Sequence, residues 1–419
     1  MPEQEFITGL DIGSSAIRVA VGQYVGDGAE QAIHVIGAAE VPAEGISRGV
    51  ISSIEDAVSS ITAALEKSER MTGKQIRSAW VGISGSHVSS QESRGVVAVA
   101  RSDGEISEDD VERAIDAART VATPQNYEIL HVIPKSFIVD GQEGIKDPLG
   151  MTGVRLEVDT QIIQGLSAQI KNLTKVVYRT GIEIEDLVLS ILATSEAVLN
   201  NRKKELGVAI VNVGGTTTSL AVFEEGDIVH TAVLPIGSDH ITSDIAIGLR
   251  ISIDTAEKIK LEYGTAESEG IGKRDELDLA EVEGGESTLV SRRYIAEIIE
   301  ARVEEILERI DAELKKVDRS GKLPAGVVLT GSGAKLPGLV EVAKRKLRLP
   351  ASLGAPVGIT STIDKINDLS FTTAIGLMLW GARVSAGQRG RGFARVFKGL
   401  PSVRGLLNRS KKLFQKIIP

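Results

Sequence analysis

The sequence predicts an α/β protein made of two similar halves around a shared cleft, and three observations predict it. Residues 6–22 and 207–223 carry one pattern twice: an apolar run, a polar residue, a turn of Gly, Ser and Thr, and a second apolar run. Residues 325–339 add an apolar strand, a glycine turn (Gly331, Ser332, Gly333, Ala334) and a helix start. Through the rest of the chain, helical and strand periodicities alternate as in layered α/β folds. At 419 residues the chain also exceeds one ordinary core, so more than one domain is expected.

The repeat is offset by 201 positions, which sets Asp11 on Asn212, Gly13 on Gly214, Ser14 on Gly215 and Ser15 on Thr216. Each copy reads as a β-hairpin with small side chains at its turn. Backbone N–H groups and hydroxyls (Ser14, Ser15, Thr216, Thr217) are then free to face an anion, and two facing turns grip one set of phosphates from both sides. A P-loop is excluded because no Lys follows either turn and a strand pattern comes next, whereas that motif leads into a helix. A G-x-G-x-x-G dinucleotide fingerprint is absent from both turns. The glycines of the third element, Gly331 and Gly333, allow close approach to a flat ligand beside a helix start.

In order along the chain, residues 1–84 read as an α/β layer. Apolar positions 50, 51, 54, 57, 58, 61 and 65 predict a helix over 49–65, and Ser78–Ser84 predicts a strand. Residues 85–166 read as an insertion, with a helix over Ile106–Arg119 whose Ser107 and Asp110 have capping-box spacing. Helix, strand and helix over 167–200 lead into the second hairpin. Residues 254–323 are a charged excursion that ends in a long helix over Ser291–Lys316. The chain re-enters the core at Ala325, and Phe371–Ala382 closes it as a buried helix. The expected units are therefore 1–84 with 167–195, the insertion 85–166, 196–253 with 324–382, the excursion 254–323, a flexible basic linker 383–401 and a terminal helix 402–419.

Composition narrows the class. Aromatic residues make up 3% of the chain, so the core must rest on Val, Ile, Leu and Ala, as Val/Ile-rich sheets under helices do. Cysteine is absent, which excludes disulfides and thiolate metal sites. The five histidines show no ligand spacing and read as structural or surface residues. The N-terminus has neither a basic nor an apolar leader region, and no segment reaches the roughly 18 apolar residues of a membrane span, so a cytosolic protein is expected. The charge is split: residues 383–419 hold ten Lys and Arg and no acid, against 38 basic and 57 acidic residues before them.

That basic end is patterned. Val403, Leu406, Leu407, Leu413, Phe414, Ile417 and Ile418 form one helical stripe, and Arg404, Arg409, Lys411, Lys412 and Lys416 lie around the other side. Such a helix is too charged to span, since each mid-membrane Lys costs about 2.5–3.5 kcal/mol. Lying on an anionic leaflet, each cation contributes about 1 kcal/mol. A docked helix has no need of five charges on one face, and a nucleic-acid arm has no need of the stripe. Membrane binding, and no nucleic acid, is the expectation.

The three turns, in this order and spacing, resemble the phosphate and adenosine loops of the actin-like ATPase superfamily. The segments His131–Pro134, Glu143–Arg155, Val233–Ala246 and Ala256–Gly264, with the basic terminal helix, narrow the resemblance to the FtsA family of bacterial cell-division proteins over about residues 6–382 plus the tail. The resemblance implies two RNase H-like domains around a cleft that binds ATP and Mg²⁺. Residues 85–166 are then the subdomain called 1C, used for self-association and partners, and 254–323 the lid subdomain 2B between the two parts of 2A. It further implies Glu257 and Lys260 as ribose and adenine contacts, although by spacing alone the two equally fit a solvated charge pair. The C-terminal peptide of the tubulin-like protein FtsZ would dock on the helix carrying Arg293, Arg302 and Glu305. The implied whole is a filament-forming scaffold on the cytoplasmic face of the membrane at the division site.

Two positions depart from the family pattern. The second-loop acid is replaced by Asn212, which orients a metal-bound water without supplying charge; Asp11 alone retains a carboxylate for the metal. The water-orienting position in the preceding helix is Ser190, while Glu196 further along reads as capping or surface. Phosphoryl transfer depends on both functions, so slow hydrolysis or none is expected, with no catalytic residue assigned. A soluble metabolite kinase on the same fold and a pilus-assembly scaffold remain the alternatives.

Overall fold

The computed structural model describes residues 6–25, 32–120, 124–272, 274–284, 287–361 and 363–389. The first half opens with β1 (Phe6–Ile12), β2 (Ala16–Val25) and β3 (Ala32–Pro42) as an antiparallel meander. The pair β4 (Ile46–Ser47) and β5 (Val50–Ile51) turns the chain into α1 (Ile54–Thr72), and β6 (Ser78–Ile83) lies parallel to β1. The insertion supplies β7 (Val88–Ala98), α2 (Glu108–Thr120), β8 (Tyr127–Val139), β9 (Gln142–Ile145) and β10 (Arg155–Leu166). Then α3 (Ser167–Arg179), β11 (Glu183–Leu189) and α4 (Ser190–Val198) complete the crossing to the second half.

That half continues through α5 (Asn201–Leu206), β12 (Val208–Val213), β13 (Thr218–Glu224) and β14 (Asp227–Leu234). Helix α6 (Ser238–Leu249) follows, and the excursion then supplies α7 (Ile253–Tyr263), β15 (Glu276–Asp278), α8 (Ala280–Glu283), β16 (Leu289–Ser291) and α9 (Arg292–Lys316). Last come β17 (Val327–Thr330), α10 (Leu339–Leu347), β18 (Ala351–Leu353), β19 (Thr360–Ser361) and α11 (Thr372–Arg389).

The duplication extends to topology. The first sheet runs β11-β6-β1-β2-β3-β19 and the second β14-β13-β12-β17-β18. In each, a hairpin and a third antiparallel strand lie on one side and a parallel strand on the other. The core strands are nearly continuous Val, Ile, Leu and Ala because helices cover them. Helix α9 buries Ile295, Ile299, Val303, Ile306, Ile310 and Leu314 along one stripe, each worth about 2 kcal/mol of transfer free energy. The insertion is a four-stranded antiparallel sheet, β7-β10-β8-β9, under α2. The expected capping box is present: Asp110 accepts from Ser107 N–H at 2.9 Å while Ser107 Oγ accepts from Asp110 N–H at 3.4 Å.

Three expectations need correction. The helix over 49–65 begins at Ile54 instead, where the Ser53 side chain caps it, and Val50–Ile51 pair with Ile46–Ser47. Glycines at 45 and 49 with positive φ make that turn, a local choice the helical spacing concealed. The unit expected over 196–253 with 324–382 is also not closed on itself, because α11 packs on β1, β2 and β6 of the first sheet, and β19 pairs with β3 there. Helix α4 in turn packs on β12 and β13 of the second while keeping contact with β6 and β11 of the first. The two helices cross where a Cβ on Gly376 would fall 2.0 Å from Ala193 O, and α11 meets β1 where a Cβ on Gly9 would fall 2.1 Å from Ala374 O. Lastly, residues 383–389 continue α11 where a linker was expected; the remainder of that linker and the helix of 402–419 lie outside the described residues.

Candidate functional site

The two repeated turns are closed by the same bond. Gly13 N–H donates to Ala16 O at 3.2 Å, and Gly214 N–H donates to Thr217 O at 2.9 Å. A Cβ on either glycine would fall 2.8 Å from that carbonyl, so both turns require Gly at this place. The turns face each other across the halves: a Cβ on Gly215 would lie 1.9 Å from Ser15 Oγ and 2.9 Å from each carboxylate oxygen of Asp239. Ser14 Oγ accepts from Gly49 N–H at 3.1 Å, which braces the first turn. The Thr216 hydroxyl is buried without a partner, the kind of orphaned donor that a bound anion satisfies.

The third turn sits on the second. Gly331 has φ +89°, and a Cβ there would meet Asn212 Oδ1 at 2.2 Å and Val213 O at 2.6 Å. A Cβ on Gly333 would meet Val213 Cγ1 at 2.6 Å. These glycines are therefore required by packing between loops as well as by any ligand. Ser332–Lys335 form a short 3₁₀ turn, with Ala334 N–H on Gly331 O at 3.2 Å.

Asp11 ends β1 inside the cleft. Burial raises its carboxyl to about 6, opposed by the charge of Arg18, its cross-strand neighbour. Ser190 lies on the same side, since a Cβ on Gly82 would meet Ser190 Oγ at 2.8 Å and Asp11 Oδ1 at 3.7 Å. Asn212 is engaged with protein: its Nδ2 donates to Thr373 Oγ1 at 3.0 Å. Among the described residues no cluster of three or more His, Asp or Glu forms a metal cage. Asp11 and the orphaned Thr216 hydroxyl fit a phosphate-bound, largely hydrated Mg²⁺ better than a caged ion.

Glu257 and Lys260 do form a pair, at 2.6 Å, but Lys260 is buried and also donates to Thr242 Oγ1 at 2.8 Å. The solvated-pair reading is thereby corrected. The pair stands beside the start of α6, where Ser238 N–H and Asp239 N–H donate to Gly214 O and Gly215 O, both at 2.9 Å. Burial raises the Asp239 carboxyl, against the pull of Lys260 and with the push of Glu257. Asp239, Arg18 and Gly49 were missed by sequence reasoning; Asp239 follows an apolar run and a glycine, a signal of the same kind as the hairpin turns. Glu196 is neither cap nor surface: it is buried, pairs with Lys204 at 2.7 Å and contacts Arg383.

On α9, Arg302 is already filled, its fork on Asp244 at 2.5 and 2.8 Å with Glu305 alongside. Arg293 pairs with Glu297 at 3.1 Å on an open part of the helix. No helix among the described residues is long and apolar enough to cross a membrane.

The family model "Cell division protein FtsA" matches residues 209–376, and that of the SHS2 domain inserted in FtsA matches residues 85–164. The chain is 38% identical to the cell division protein FtsA of Pseudomonas aeruginosa over 377 residues, covering 90% of this chain and 89% of that protein. It is 38% identical to that of Bacillus subtilis (91% and 85% covered) and 33% identical to that of Escherichia coli K12 (90% and 91%). Among solved structures, a PilM–PilN type IV pilus biogenesis complex superposes with TM-score 0.66 at 16% identity, covering 90% of this chain and 99% of that one. MreB5 of Spiroplasma citri bound to ADP gives 0.56 at 14%, covering 93% and 100%. The fold is actin-like, and the chain belongs to the FtsA family of cell division proteins.

Proposed function

We propose that this protein is an actin-like cell-division scaffold that binds ATP with Mg²⁺ between its halves, assembles with copies of itself, and ties FtsZ to the cytoplasmic membrane. The observation that carries the nucleotide reading is the meeting of Ser15 and Gly215, with the Thr216 hydroxyl left orphaned between the duplicated turns. Ser14, Ser15, Gly215, Thr216 and Thr217 would supply donors to the phosphates. Asp11 would hold a metal-bound water, and Gly331–Ala334 with Glu257 and Lys260 would enclose the nucleoside. When bound, Mg²⁺ supplies charge neutralisation between the phosphates.

Hydrolysis is a lesser part of this reading. A water near Ser190 meets a hydroxyl instead of a carboxylate, and the Asn212 amide is already bonded to Thr373. That weakens the metabolite-kinase alternative, which needs a base. The family assignment favours division over the pilus-type scaffold. The membrane tie rests on the amphipathic pattern of 402–419, and the FtsZ tie on the α9 surface near Arg293. The test is a titration of the purified full chain with ATP, with and without Mg²⁺, alongside phosphate release. Tight Mg²⁺-dependent binding with little release is the expected result; no binding, or brisk release, refutes it.

A further inference from the structure

Asn212 and Thr330 are neighbours in register on the central strands of the second sheet, and each reaches the first turn of α11. Asn212 Nδ2 donates to Thr373 Oγ1 at 3.0 Å, and Thr330 Oγ1 donates to Thr372 Oγ1 at 3.1 Å. Thr373 Oγ1 lies 3.0 Å from Thr194 Oγ1 on α4, and Thr194 Oγ1 donates to Ser190 O at 2.8 Å. Thr194, Thr330 and Thr372 are fully buried and Thr373 almost so.

Counting protons gives the chain a direction. The Thr194 proton goes to Ser190 O, so the Thr373 proton must go to Thr194 and the bond on Thr373 must come from a donor at 212. An amide provides that donor; a carboxylate has none. With Asp at 212, Thr373 would turn its proton to the carboxylate, and its link to Thr194 would survive only if the Thr194 hydroxyl gave up Ser190 O and turned to Thr373, which reverses the chain at the loss of its last bond. Position 212 is half-buried, but Thr194 and Thr373 are closed to bulk water, so the bond lost between them and Ser190 O is not replaced by solvent.

We propose that Asn212 is a latch that fixes the angle between the two halves, and that this is why the position holds an amide. Its bond joins the second sheet to α11, which packs on the first sheet, and through Thr194 to α4, which packs on β12 and β13 of the second and on β6 and β11 of the first. The relay therefore runs from the second sheet through α11 to α4, at the crossing of the two helices. Asn212 acts as a positioning residue, through Thr373, on how far the cleft opens. The inference does not rest on nucleotide binding and is tested without nucleotide.

The chain has no cysteine, so a spin-label pair placed at Glu66→Cys on α1 and Glu262→Cys on α7, both exposed, reads the angle between the halves in the full-length protein. The unmodified relay should give one narrow distance distribution. Asn212→Asp and Thr373→Val should broaden or shift it, the double variant no more than either single one, and Thr373→Ser, which keeps the hydroxyl, should restore it. Amide exchange in α4 and the first turns of α11 should rise roughly tenfold in Thr373→Val, the change expected for one buried hydrogen bond. A narrow, unshifted distribution in Asn212→Asp overturns the latch. So does a broad one in Thr373→Ser with a narrow one in Thr373→Val, which would assign the effect to the methyl group. Should Asn212→Asp fail to fold, the Thr373 pair decides.

Discussion

Single residues set the cleft by what they exclude. Gly215 has ordinary backbone geometry, yet any Cβ there strikes Ser15 and Asp239. Gly215→Val should therefore cut nucleotide affinity at least about tenfold while leaving the thermal midpoint within a few degrees, since the atoms it strikes are the ends of the Ser15 and Asp239 side chains, which can turn aside. Calorimetric titration beside a melting curve checks this. Gly333→Trp is a poorer probe, because the ring would collide with Val213 and Ser238 inside the protein before reaching any ligand. Asp11 makes the opposite trade. With its carboxyl raised to about 6, ionisation of Asp11 costs stability above pH 6, and the cost disappears as pH falls through 6 towards 3.8. Asp11→Asn should thus raise the midpoint of nucleotide-free protein at pH 7.5, with no gain below pH 4, and weaken Mg²⁺-dependent ATP binding. An unchanged midpoint at pH 7.5 would show that Asp11 is solvated.

Elements decide which charges are available to partners. Arg302 holds α9 to α6 through Asp244, so Arg302→Glu would set three carboxylates together and should cost about 1–3 kcal/mol of stability. Any loss of FtsZ-peptide binding in that variant would be confounded by it. Arg293 has only an i,i+4 partner at 3.1 Å, a pair worth about 0.3–0.5 kcal/mol. Arg293→Glu should weaken binding of the acidic FtsZ peptide several-fold at constant stability; equal affinity by fluorescence anisotropy would remove this part of α9 from the interface. At the other end of the chain, Leu407 and Phe414 fall on one apolar stripe seven residues apart. Changing both to Glu removes roughly 3–6 kcal/mol of apolar transfer and sets two anions against an anionic leaflet. The double variant should stay in the supernatant with anionic liposomes while still binding ATP, and its pelleting would refute the anchor.

At the scale of the molecule, the halves and the insertion are held by buried polar contacts whose protonation state matters. His131, on β8, accepts the Leu189 N–H at 3.0 Å just before α4 and packs against Trp380 of α11. Burial lowers it from 6.5 to about 4, so it stays neutral in the native state. The unfolded chain binds that proton first, and stability falls as pH drops from 6.5 to 4, by about 3 kcal/mol. His87 is also held low by burial and adds in the same direction; both its ring nitrogens are buried without a partner. Urea unfolding at pH 7 and pH 4.5 should show the loss, and His131→Gln, which keeps an acceptor, should reduce the slope. An equal slope in that variant would assign the acid sensitivity elsewhere.

The sequence by itself determined what is local or repeated. The duplicated hairpins, the third glycine turn, the capping box at Ser107 and the long helix α9 follow from periodicity and turn chemistry, which act over a few residues. The family assignment followed from the same turns and segments. Only the tertiary structure decided what depends on remote neighbours. Nothing in the spacing of Glu257 and Lys260 shows that the lysine is buried beside α6, or that the Arg302 fork is filled by an acid 58 residues away. Nor does an apolar helix over 371–382 reveal which sheet it covers. Its packing on the first sheet, with α4 lodged between both sheets, is a matter of complementary surfaces meeting at Gly9 and Gly376. Burial and hydrogen-bond direction are properties of the assembled fold, and so is the bonding of Asn212, an apparent loss of charge in the sequence and a donor to Thr373 in the structure.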